Sequence, residues 1–173
     1  MTRRIVENID LYPFCGDPER FLSAPFSLNG HTYASDGCIA VRVPRRPDVP
    51  ENEKAPNAKA EALPWDFSRV EFGPLPVLET LPNRCTACHG RGYKHECPDC
   101  RCECESCGGS GKSTPCVQIG NAVFAWTYID RMGELPGLEI GKPKLKRGKQ
   151  KSARLLPFRF NGGEGLLMAM EPA

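Results

Sequence analysis

A chain of 173 residues has room for one hydrophobic core and a small attached module; a 40% hydrophobic share with 17 Gly and 17 Pro points to many turns around that core. No run approaches the roughly 20 apolar residues of a membrane span, and "MTRRIVENID" has no apolar stretch behind its positive start, so the expectation is a soluble, cytoplasmic protein without a signal peptide. The net charge of +2 hides an asymmetry: eight Lys or Arg and no acid lie between Lys142 and Arg159, while the rest of the chain sets 15 basic residues against 21 acidic ones, a net −6.

In chain order, "GDPERFL" reads as a short helix start, with Asp17 placed to cap and Pro18 at the first helical position. "FSLNGHTYASDGCIAVRVP", Phe26 to Pro44, reads as short strands broken by the turn signals Asn29-Gly30 and Asp36-Gly37. In its last run Ile39, Val41 and Val43 share one face and Ala40 and Arg42 the other. Residues 44–64 mix Pro, Ala and charge without apolar periodicity, the pattern of an exposed loop. Beyond them Trp65, Phe67, Val70 and Phe72 either pin this linker to the core or form a partner-binding edge.

Seven of the ten cysteines fall between Cys85 and Cys107. A reducing compartment disfavours disulfides, and Cys85-x2-Cys88 and Cys104-x2-Cys107, fifteen residues apart, have the spacing of a four-thiolate zinc site. Each C-x2-C turn aims two thiolates at one ion, and two turns complete a tetrahedron. The expected ligands of a first zinc are therefore Cys85, Cys88, Cys104 and Cys107. A second ion would use Cys97, Cys100 and Cys102, completed by Cys116 or His95; one ion with spare thiols is the simpler alternative. "CPDC" lacks the βαβ setting of a redox pair. "GSGKS", Gly109 to Ser113, matches only the end of a phosphate loop, with Ser106 where that loop needs glycine. Tyr93 is the module's sole sizeable apolar side chain besides cysteine, so metal has to supply its folding free energy.

After the cluster, "CVQIG" reads as a strand. A helix is expected over roughly Asn121 to Leu135, where Phe124, Tyr128, Met132 and Leu135 form one apolar stripe. Lys142, Lys144, Lys146, Arg147, Lys149 and Lys151 then crowd a Gly-containing loop, which either contacts phosphates without sequence preference or is merely solvated. "LLPFRFNGGEGLLMAM" reads as a closing hairpin with "NGGEG" as its turn. No Ser–His–Asp set, carboxylate pair or open metal site emerges. Cys15 and Cys38 are the remaining candidate nucleophiles, but Cys38 heads a strand and is expected to be buried.

Two resemblances follow from these residues. C-x2-C-x-G-x-G occurs twice, as "CTACHGRG" and "CESCGGSG", and resembles the cysteine-rich zinc module of DnaJ-type co-chaperones. That family has four copies and two zinc sites; here only the outer two copies are intact. The resemblance implies a fold and a metal, not co-chaperone activity, since no J-domain signature is present. Around the module, "YASDGCIAVRV", "YIDRM" and "LPFRFNGGEGLLMAM" resemble the strand–turn–strand, helix and closing hairpin of a bacterial sliding-clamp domain. A clamp ring needs six such domains and this chain has one; its helix carries Asp130 and Glu134 beside Arg131, so a ring around DNA is not implied.

The resulting expectation is an α+β fold: an antiparallel clamp-like domain with short helices, formed by residues 1–44 and 117–173. A Pro-rich linker (45–84) and a zinc module (85–116) divide it. The implied function is a non-enzymatic adaptor, of a type similar to small phage proteins, contacting nucleic acid or a complex that processes it. The alternative is a protein that binds and blocks a host factor. Neither reading calls for a membrane or a small-molecule substrate.

Overall fold

The structure, a computed structural model, describes residues 9–16, 23–52, 60–81, 84–93, 102–145 and 154–170. The expected helix start at Asp17 and Pro18 lies outside them. A short 3-10 turn, Tyr12–Phe14, precedes it and buries Leu11 and Phe14.

β1 (Phe26–Leu28) and β2 (His31–Ser35) are joined through Asn29 and Gly30 at φ 46° and 80°. Two consecutive left-handed residues match the twist of the flanking strands, which is why Asn-Gly stands there. A second tight turn leads to β3 (Ile39–Pro44). There the Asp36 carboxylate accepts the N–H groups of Cys38 and Ile39 at 2.9 and 3.0 Å, and Gly37 takes φ 92°. Cys38 is exposed in this turn, against the expectation of burial: the strand begins one residue later, at Ile39.

β9 (Arg154–Phe160) and β10 (Gly163–Met168) close the sheet as a hairpin. Its turn is only Asn161-Gly162, narrower than the expected "NGGEG". Gly163 and Gly165 are strand residues facing Phe160 and Phe158 across the ladder, and a Cβ on either would enter the opposite ring. With the short β4 (Gly73–Pro74), β7 (Glu139–Ile140) and β8 (Lys144–Leu145), the order is β1-β2-β3-β10-β9-β7-β4, and β8 also pairs with β9. All these pairings are antiparallel.

The helix expected from Asn121 starts later. β5 (Cys116–Ile119) turns at Gly120 (φ 59°) into β6 (Ala122–Ala125), and only then does α1 (Trp126–Gly133) begin. Phe124 obeys the two-residue period of β6, burying itself with Ala122; the buried stripe of α1 is Ile129 and Met132, with Leu135 just beyond its end. A strand followed directly by a helix had merged into one helical pattern because Phe124 and Tyr128 are also four apart.

The sheet buries both faces. Ile39, Val41, Val43, Leu156, Phe158 and Leu167 pack against α1, the β5–β6 hairpin and the 3-10 turn. Ala40, Leu155 and Leu166 pack on the other side under Ala60 and Trp65. Burial of each Val, Leu, Ile or Phe side chain in these layers contributes about 1.5–3 kcal/mol, which holds the described sheet together. The linker is thus partly structural: its Pro50 carbonyl accepts the Ser27 N–H at 2.9 Å, Asn52 donates to the Ser27 carbonyl at 3.0 Å, and Val49 is buried. Residues 53–59 lie outside the description. Trp65 pins the segment, its indole N–H donating to the Ala60 carbonyl at 2.8 Å. Among the described residues, no helix is long and apolar enough to cross a membrane.

Candidate metal centre

The chain leaves and re-enters the core domain as an antiparallel stalk. Thr80 bridges Val117, the Leu81 N–H donates to the Cys116 carbonyl at 2.8 Å, and Arg84 bridges Lys112. Beyond Arg84 come two knuckles of the same shape. In the first, the Cys85 carbonyl accepts the Gly90 N–H at 2.9 Å and the Cys88 sulfur accepts the Gly92 N–H at 3.2 Å. In the second, the Cys104 carbonyl accepts the Gly109 N–H and the Cys107 sulfur accepts the Gly111 N–H, both at 3.3 Å.

The glycines follow from backbone geometry. His89, Gly90 and Gly92 have φ of 52°, 80° and 81°, and Gly108, Gly109 and Gly111 have φ of 55°, 77° and 69°. Three left-handed residues wind each loop back over its own sulfurs, and His89 alone among the six carries a side chain there.

The knuckles bring Cys85, Cys88, Cys104 and Cys107 together with all four sulfurs within 4.8 Å of one another. Two separations are 3.9 Å (Cys85–Cys104) and 3.8 Å (Cys88–Cys107). A disulfide requires about 2.05 Å, so these thiols are not bonded in pairs. A tetrahedral ion with sulfur arms of about 2.3 Å has edges of about 3.8 Å, the spacing observed. The cluster can hold a metal ion. Three of the cysteines are buried and the fourth half-buried. Among the described residues, they are also the module's whole apolar interior.

Crowding sets the acidity of the group. Burial pushes the Cys88 thiol up, but the Gly92 N–H and the neighbouring thiols outweigh it and bring it down to about 6. Burial together with the same neighbours pushes Cys107 up to about 11 despite the Gly111 N–H. Four thiols in one place give up a first proton readily and a last one reluctantly, unless a cation takes the protons' place.

The other expected site residues are dispersed. Cys97, Cys100 and His95 lie outside the described residues. Cys102 is exposed beside Glu103, whereas Cys116 opens β5 at the foot of the stalk. Neither joins the four-sulfur group. In the "GSGKS" stretch, the N–H groups of Gly109, Ser110, Gly111 and Lys112 are all engaged within the knuckle and not turned to a phosphate. Of the basic segment, Lys142 is exposed after β7 and Lys144 lies on β8. Lys146, Arg147, Lys149 and Lys151 fall outside the described residues.

Sequence reasoning missed a concavity of about 530 Å³ on the sheet face that carries Trp65. Arg42, Arg159, Glu139 and Glu164 line it together with Phe67 and Phe72. Its charged residues pair across 122 and 20 positions of sequence, a separation that no local pattern reveals. No family model, curated protein or solved structure matches the chain.

Proposed function

We propose that the protein is a non-enzymatic adaptor whose tetrathiolate centre holds zinc as a structural ion and whose basic segment contacts nucleic acid or a complex that processes it. The convergence of the four cysteine sulfurs carries this reading. Four protein ligands leave no position for water or substrate, so such an ion shapes a surface and does not activate a reactant. All-sulfur tetrahedral coordination suits zinc, and in zinc-finger peptides binding supplies about 10–16 kcal/mol of folding free energy. The clamp-like resemblance adds a phage accessory role, acting in the bacterial cytoplasm, to this reading.

Elemental analysis of the purified protein tests the first half. One zinc per chain is expected from the four-sulfur group, and two would bring in Cys97, Cys100 and Cys102 with Cys116 or His95. No stoichiometric metal would end the proposal. The second half is tested by binding to nucleic acid across a salt series. Neutralising Lys144, Lys146 and Arg147 should flatten the dependence of log K on log salt by about 2–3 on duplex DNA. An unchanged slope would remove the basic segment from the contact.

A further inference from the structure

The four charged residues that line the concavity continue a row of facing residues across the sheet. Phe26 faces Tyr33, Tyr33 faces Arg42, Arg42 faces Glu164, Glu164 faces Arg159 and Arg159 faces Glu139, each pair in direct register on neighbouring strands. The last four alternate in charge. Arg42 bonds Glu164 and Arg159 bonds Glu139, each at 2.5 Å. Each guanidinium is also covered by a ring: Arg42 lies 4.5 Å from the centroid of Trp65 and Arg159 lies 4.6 Å from that of Phe72. Phe67 and Phe72 meet edge to face at 5.9 Å, both only half-buried, at the rim of the cavity.

We infer that this groove receives an unpaired nucleobase, so that the nucleic acid of the proposed function, on which this inference rests, is engaged as a single strand. The row is electrically balanced, and so offers no net attraction to a phosphate or a free cation. What it offers is guanidinium donors beside carboxylate acceptors, the alternation displayed by the edge of a base. The half-exposed rings supply the stacking surface on which unpaired bases are held. Arg159 lines the cavity with 41% of its side chain exposed, and its bond to Glu139 is made through Nε. The Asn161-Gly162 turn and Gly163 line one end of the cavity. An added peptide strand fits less well, because the groove lies across the middle of the sheet, where the ladders are already paired.

The test uses the zinc-loaded full chain, labelled with 15N and titrated with adenosine, cytidine, uridine and inosine, which carry no phosphate. Saturable shifts are expected at the amides of Asn161, Gly162 and Gly163 and at the Nε of Arg42 and Arg159 for at least one nucleoside. Phe72→Leu keeps the apolar bulk but loses the stacking face; it should weaken that nucleoside about tenfold while the rest of the spectrum stays in place. Salt-dependent oligonucleotide binding without any nucleoside shift would overturn the groove and leave the proposed function standing. Shifts that Phe72→Leu leaves unchanged would also overturn it. Nucleoside shifts in a protein that binds no oligonucleotide would uphold the groove and remove the proposed function.

Discussion

Cys85 donates its backbone N–H to the carbonyl of Gly111 at 2.9 Å, and Cys104 donates to Gly92 at the same distance. Each knuckle is therefore closed by the other, and the glycines at the contact stand backbone to backbone. A Cβ on Gly92 would strike the Gly109 carbonyl, and one on Gly111 would strike that of Gly90. Gly92→Ala and Gly111→Ala should each separate the knuckles. The left-handed backbone adds about 1–2 kcal/mol of cost to the clash. The expected outcome is a loss of metal to a competing chelator at least about tenfold faster than in the unaltered protein. Gly108→Ala is the control: it has a left-handed φ but open space around its Cβ, so it should show the backbone cost alone.

If the four cysteines hold a metal as proposed, its removal should unfold the module and spare the sheet. The only buried cluster among its described residues is made of the cysteines themselves, whereas the two clusters on the sheet contain none of them. After chelation the amide signals of residues 85–92 and 104–111 should move to random-coil positions, while those of β3, β9 and β10 stay in place. A simultaneous collapse of β9 and β10 would show that the module is part of the core instead of an excursion from it.

Local chemistry made much of this fold readable. The strands from Phe26 to Pro44 follow from Asn29-Gly30, Asp36-Gly37 and a two-residue apolar period, and the four metal-capable cysteines from spacing plus glycines. Two features were not readable for a physical reason. Phe124 satisfies a strand period and a helix period at once, and only the reversal at Gly120 decides between them. The charged row joins Arg42 to Glu164 and Glu139 to Arg159 by strand register, which no sequence window contains.

The two cysteines outside the module differ in environment, and their reactivity should follow. Cys15 is half-buried, and burial, reinforced by Asp10 and Asp36, raises its thiol from 9.0 to about 11; Cys38 is exposed. At pH 8 only about one Cys15 in a thousand is thiolate. Iodoacetamide on the zinc-loaded protein should modify Cys38 well ahead of Cys15, as peptide mass spectrometry would show. Because the folded pKa lies above the unfolded one, the neutral thiol contributes stability that is complete below pH 9 and lost as pH rises towards 11. Cys15→Ala should lose less stability between pH 8 and pH 10.5 than the unaltered chain, measured by urea unfolding. Equal losses would mean that the thiol titrates at the same pH in the folded and the unfolded chain.

Trp65 tests whether the linker belongs to the fold. Its ring is 8% exposed, lies 6.0 Å from Tyr33 and covers the Arg42 guanidinium, and its N–H bond to Ala60 closes the turn that leads to the sheet. Trp65→Ala empties that position and should cost about 3–5 kcal/mol, lowering Tm by about 10 °C in a chain of this size. Trp65→Phe keeps a ring over Arg42 and loses the hydrogen bond, so its cost should be nearer 1 kcal/mol. Denaturant unfolding of the two variants separates packing from hydrogen bonding. If both fall within about 0.5 kcal/mol of the unaltered protein, as ordinary surface substitutions do, then residues 60–72 merely lie against the sheet and do not hold it.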